Sequence, residues 1–172
     1  TECYAPNSGA KIKSSKNKVV KIVNNYEHMS FNFGPTLVDW LKLKKPAVLK
    51  KIIDADRVSQ ENNDGHGNAV AQAYNHVIMP LASKHDQLTQ IIWGTRHFKY
   101  TFDRRPEGMW LSETGINTET IKLLIDCGIK FTILSPTQAR KVKGIKDSRW
   151  RDVSSNSINP RRPYRIYDYD DM

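Results

Sequence analysis

The chain has 172 residues, with 27 Lys and Arg against 18 Asp and Glu, a formal net charge of +9 and 38% hydrophobic residues. That length supports one domain with a sizeable core but falls short of the about 250 residues of a complete eightfold α/β barrel. No apolar run nears the roughly 20 residues that a bilayer span requires, and no apolar N-terminal segment reads as a signal, so a soluble, cytoplasmic protein without a membrane partner is expected.

Residues 1 to 18 are polar and turn-rich and are expected as a short helix or a loop. Val19 to Val23 is β-branched and fits a strand or the buried side of a helix. A firmer strand runs from Met29 to Phe33. Pro35 then suits the first position of a helix whose apolar face is Leu37, Val38, Trp40 and Leu41. Pro46 begins a second helix, with Val48, Leu49, Ile52, Ile53 and Ala55 at helical spacing as far as about Gln60. Asn62 to Gly67 is a loop by composition. Asn68 to Tyr74 reads as a central strand whose alanines permit close packing, although alanine also favours helix. Asp86 is the expected N-cap of a helix from Gln87 to Phe102, with Leu88, Ile91, Ile92, Thr95, Phe98 and Phe102 on the stripe facing a sheet.

The stretch Arg105 to Gly115 organises the C-terminal half of the chain. Met109 to Leu111, fenced by Pro106, Gly108 and Gly115, reads as a brief buried strand with Glu113 just past its end. Asn117 caps the next helix, which stops at Gly128, a residue suited to the left-handed position after a helix. Ile129 to Leu134 is the next strand, so strand, helix and strand form a parallel crossover unit. Ligand sites of parallel α/β folds lie at the carboxyl ends of their strands, which places Glu113 where chemistry usually occurs. A solvated turn residue or cap is the alternative for such a carboxylate. Ser135 to Gln138 closes the second strand and puts Gln138 near the same rim, and a helix is expected toward Val142. Asn159 to Pro163 is linker-like, Tyr164 to Tyr169 fits a late strand, and Asp168, Asp170 and Asp171 end the chain. These readings divide it into a domain over 1–145 and a basic polar tail over 146–172.

Two histidines bracket the central strand. His66 is by default an exposed loop residue and His76 the cap of a core helix, yet imidazoles at a strand end also bind sugar hydroxyls or move protons. His28, His85 and His97 read as surface residues. No third ligand at recognisable spacing accompanies His66 and His76, so no metal is expected. Cys3 and Cys127 read as free, partly buried thiols rather than a bridge. The basic residues form two clusters, Lys11 to Lys21 and Arg140 to Arg151. With few interleaved aromatics and no helix-turn-helix or zinc-finger spacing they read as solvated surface, so nucleic acid is an unlikely partner by composition.

Three stretches in order resemble glycoside hydrolase family 57, in particular a branch whose members carry a further C-terminal domain. They are Asn24-Asn25-Tyr26 with Ser30 to Leu37, Gly65 to Asn68 with Gln72 to His76, and Arg105 to Gly115. The resemblance implies an α/β fold, part of an incomplete (β/α) barrel of the family 57 type with parallel strands and flanking helices. It implies action on α-glucans with retention, as hydrolase or glucanotransferase, without a cofactor. It also implies Glu113 as nucleophile and His76, His66, Trp110, Gln138 and Asn32 as substrate contacts. The family's histidine-rich first strand and its later acid/base aspartate are not recognisable here. The chain is therefore expected to be a fragment that needs the remainder of the barrel as partner and shows little turnover alone. The alternative is a non-catalytic domain that binds glucan or protein.

Overall fold

The computed structural model describes residues 2 to 166. It divides into two compact units, Thr1–Thr132 and Ile133–Met172, a boundary ahead of the 145/146 division expected from composition.

The first unit is built on four short parallel strand segments that are neighbours in chain order. Phe31 bridges Ala69, β3 (Ala71–Gln72) pairs with β4 (Met109–Trp110), and Gly108 bridges Phe131. The backbone ladder runs through Val70 N–H to the Phe31 carbonyl (2.8 Å), Ala71 N–H to Gly108 (3.1 Å) and Met109 N–H to Phe131 (3.1 Å). Of the strand expected over Ile129 to Leu134 only the bridge at Phe131 forms, and it runs parallel to the segment at Gly108 that leads into β4.

Helices fill the connections. Between Phe31 and Ala69 the chain forms α2 (Pro35–Lys44) and α3 (Pro46–Asn62), each opened by proline at its first position, where the missing N–H costs nothing. Helix α4 (Lys84–Phe102) connects β3 to β4, and α5 (Thr118–Asp126) connects β4 to Phe131. The start of α4 corrects the expectation of Asp86 as cap. Ser83 is the N-cap: its Oγ accepts from the Asp86 N–H and donates to the Asp86 carboxylate at 2.7 Å. This reciprocal pair satisfies donors one turn earlier than an Asp86 cap would. Asn117 caps α5 by accepting from the Thr120 N–H at 2.8 Å, and Gly128 follows it with φ +78°.

Alternation decides which faces are buried. Ala71, Ala73, Met109 and Leu111 are all at most 2% exposed, together with Ile52, Met79 and Ile91. Helix α4 lies so close to the sheet that a Cβ at Gly94 would run into the Gln72 carbonyl oxygen and meet the Met109 side chain. Met109 and its ladder partner Ala71 therefore point toward α4, and the alternate residues Gln72 and Trp110 point to the other face.

The N-terminal part is a short helix, α1 (Tyr4–Asn7), and an antiparallel pair, β1 (Ala10–Lys13) with β2 (Val19–Val23). A strand at Ala10–Lys13 was not legible in so lysine-rich a segment. β2 takes the strand alternative, but outside the core: Val20 and Ile22 are each 64% exposed.

The second unit holds a short 3-10 turn at Pro136–Gln138 and an antiparallel pair, β5 (Lys141–Val142) with β6 (Arg151–Asp152). The expected helix toward Val142 is replaced by β5, whose ladder gives those backbone groups partners that a helix stopped at Gly144 would leave open. Val153, fully buried, donates its N–H to the Arg140 carbonyl. Tyr164 to Ile166 are not in a strand, and the rest of the expected late strand, with Asp168, Asp170 and Asp171, lies outside the described residues. Among the described residues no helix is long and apolar enough to cross a membrane.

Candidate active site

Glu113 follows β4 and His76 follows β3, so both stand beyond the carboxyl ends of adjacent parallel strands. Their side chains meet: His76 Nε2 lies 3.2 Å from Glu113 Oε1. Beneath them the Trp110 ring, on the face of β4 away from α4, packs against the imidazole with centroids 5.4 Å apart. Both ends of the pair are open to solvent, at 55% and 72% side-chain exposure, so a ligand can reach them without rearrangement.

The backbone there is unusual. His76, Glu113 and Thr114 all have φ between +53° and +56°, the left-handed region where a Cβ crowds the following carbonyl. Two such residues in succession, the second β-branched, turn the chain sharply after Ser112, where the Glu113 carboxylate meets His76. Ser112 itself is 1% exposed, and among the described residues its buried hydroxyl has no hydrogen-bond partner. Local strain and an orphaned polar group concentrate at functional sites because folding alone selects against both.

The other residues singled out from sequence separate into three places. Asn32 stands at the end of the neighbouring strand segment, its Nδ2 donating to Gln72 Oε1 at 2.6 Å. Gln72 pairs in register with Trp110, so Asn32, Gln72 and Trp110 span three adjacent strand ends. His66 is elsewhere, and the expectation that it lines or backs the same cleft is corrected: it precedes the central strand, at the amino edge of the sheet. There His66 Nδ1 meets Glu107 Oε2 at 2.7 Å, and Lys130 Nζ donates to Glu107 Oε1 at 3.0 Å. These bonds, first from His66 and then from Lys130, hold the Glu107 carboxyl below its ordinary range. Gln138 belongs to the second unit, where its Oε1 accepts from the Ser135 N–H at 2.8 Å in a capping box.

Gln72 lies within one of the three motifs but does not stand out from sequence as a site residue; a polar residue between Ala71 and Ala73 in a buried strand is the available signal. His97 is also corrected. It is half-buried against the Tyr74 ring (6.0 Å), and burial lowers its pKa. Among the described residues no group of three or more His, Cys, Asp or Glu side chains is placed to hold a metal ion.

Compared with curated proteins by sequence, the chain matches none. Among solved structures it is similar to 4-alpha-glucanotransferase from Thermococcus litoralis, with 21% identity and a TM-score of 0.53 over 64% of this chain. The match spans 17% of that protein's length. The sequence profile of Glycosyl hydrolase family 57 matches residues 1–171, nearly the whole chain. Because that profile covers nearly the whole chain, the chain belongs to glycosyl hydrolase family 57.

Proposed function

We propose that this chain carries the nucleophile of an enzyme acting on α-glucans with retention, within part of an incomplete (β/α) barrel. The observation that carries the reading is the exposed Glu113 carboxylate held on a strained turn against His76 and above Trp110. In a retaining mechanism a carboxylate attacks the anomeric carbon. A second carboxyl group, about 5 to 5.5 Å from the first, protonates the leaving oxygen and later activates water or an acceptor sugar. Glu113 takes the attacking role. His76 donates to Glu113 or to a sugar hydroxyl and fixes the carboxylate's direction, and Trp110 offers an apolar face to a pyranose ring. Retention is common to hydrolysis and glucosyl transfer, so the outcome depends on whether water or a sugar enters second.

The test is substitution in the turnover-competent enzyme containing this chain. Glu113→Gln keeps size and hydrogen-bonding reach but removes the nucleophilic charge, so turnover is expected to be abolished while maltooligosaccharide binding remains largely intact. His76→Ala is expected to weaken binding and turnover together. Retention of most activity by Glu113→Gln sinks the nucleophile assignment.

A further inference from the structure

The amide pair Asn32 and Gln72 has a chemistry that the nucleophile assignment leaves unused. The two carboxamides share one hydrogen bond, from Asn32 Nδ2 to Gln72 Oε1 at 2.6 Å. Whichever way the two amides are turned, one shared bond leaves one unengaged NH2 group and one unengaged carbonyl oxygen side by side. Among the described residues neither remaining group has a protein partner. An adjacent donor and acceptor complement two neighbouring hydroxyls, one accepting and the other donating. In an internal unit of a 1,4-linked glucan the vicinal free pair is the 2,3-diol, since O4 carries the linkage and O6 is exocyclic.

Position supports that reading over a simple tie between strands. Gln72 stands directly across the ladder from Trp110, one strand spacing of about 4.8 Å away and on the same face, because Ala71 and Met109 take the face toward α4. Trp110 in turn contacts His76, which bonds to Glu113. Space is reserved for the pair as well. A Cβ at Gly34 would fall 2.7 Å from Gln72 Nε2, so glycine there lets the amide lie flat against the start of α2.

We infer that Gln72 is a specificity-determining contact, held in place by Asn32, that reads the 2,3-diol of a glucosyl unit seated on Trp110; the inference rests on the α-glucan reading of the Glu113 site.

The test is calorimetric titration of the enzyme containing this chain, held inactive by Glu113→Gln, with maltotriose and with maltotriose analogues lacking the 2- or the 3-hydroxyl. With Gln72 and Asn32 intact, that enzyme is expected to bind at least one analogue roughly tenfold more weakly than maltotriose, the usual penalty for leaving a polar group unpaired. Gln72→Leu is expected to weaken maltotriose binding by a similar factor and to lose the discrimination between maltotriose and that analogue. Asn32→Ala, which leaves Gln72 present but unheld, gives a smaller loss. Should Gln72→Leu fail to fold, the analogue series on the enzyme with Gln72 and Asn32 intact and on Asn32→Ala decides. If maltotriose binds and both analogues bind as well as it does, or Gln72→Leu keeps the full discrimination, this inference falls and the nucleophile reading stands. If that enzyme binds no maltooligosaccharide, the α-glucan reading falls and takes this inference with it.

Discussion

The sheet of the first unit carries a histidine–glutamate pair at each end, and the two pairs are built differently. At the amino edge His66 and Glu107 are 2.7 Å apart, Lys130 engages the second carboxylate oxygen, and no residue of the trio has a left-handed backbone. At the carboxyl end His76 and Glu113 are 3.2 Å apart, both on left-handed backbone, above an aromatic ring and beside an orphaned buried hydroxyl. Glu107 is held on both carboxylate oxygens, by His66 through a hydrogen bond and by Lys130 through an ion pair, which is what a structural carboxylate needs. Glu113 is given direction and access, which is what a reacting one needs. Residue type alone does not separate a latch from a candidate nucleophile; the strand end and the backbone do.

The amino edge should break first when stability is measured. Beside His66 and Glu107 lies Asp56, 1% exposed, which accepts from Arg104 Nε and Nη2 at 2.8 Å each and from the Ala69 N–H at 2.7 Å. Arg104 also donates to the Ala69 carbonyl at 2.9 Å, so one ion pair anchors α3, the end of α4 and the central strand. Removing one member strands a buried charge. Arg104→Met is therefore expected to cost about 3 to 5 kcal/mol in urea unfolding. A loss below about 1 kcal/mol would show that the amino edge is not the structural half.

The carboxyl end should respond in the opposite sense. Thr114 is a β-branched residue at φ +56°, and glycine there removes the steric penalty while adding backbone entropy to the unfolded chain. Thr114→Gly is expected to be neutral to stabilising, by up to about 1 kcal/mol, while weakening turnover in the active enzyme because the turn no longer fixes Glu113. A clear loss of stability without any functional change would make the strained turn structural and erase the contrast.

How much of the fold and the site was legible in the sequence depends on the range of each signal. Local rules sufficed where one residue decides: Pro35 and Pro46 at helix starts, Asn117 as cap and Gly128 after α5. The parallel pairing of Met109 to Leu111 with its neighbour was readable from apolar runs fenced by turn residues. The exposed β1–β2 pair was not, because lysine-rich strands outside the core lack the alternation that marks burial. Nor was the partner of His66. A loop residue's side chain can meet either edge of a sheet, and its meeting with Glu107 depends on the Gly65 turn and the strand register, both tertiary facts. Glu113 and His76 came together because two residues beyond the ends of adjacent parallel strands have one rim to share, whereas Gln72 was hidden by its motif, since only the ladder shows that it faces Trp110.

The smallest effect is expected from titrating the amino-edge latch. Hydrogen bonds from His66 and then Lys130 hold the Glu107 carboxyl below its ordinary value of 4.5, so the folded state favours the ionised form more than the unfolded chain does. The stabilisation is then fully present above the unfolded value and is lost as pH falls through the lower, folded value. Because the group is near the surface, solvent screens it and the contribution is modest. Glu107→Gln keeps the shape, removes the charge, and should flatten the acid limb of the stability curve below about pH 4.5 while leaving maltooligosaccharide binding at the other end of the sheet unchanged. Unfolding midpoints in urea across pH 3 to 7, taken in parallel for the two proteins, measure this directly. If the acid limbs superimpose, Glu107 is not the group that titrates there. If instead Glu107→Gln impairs glucan binding, the division between a structural edge and a reacting edge is wrong, and His66 becomes a candidate substrate contact again.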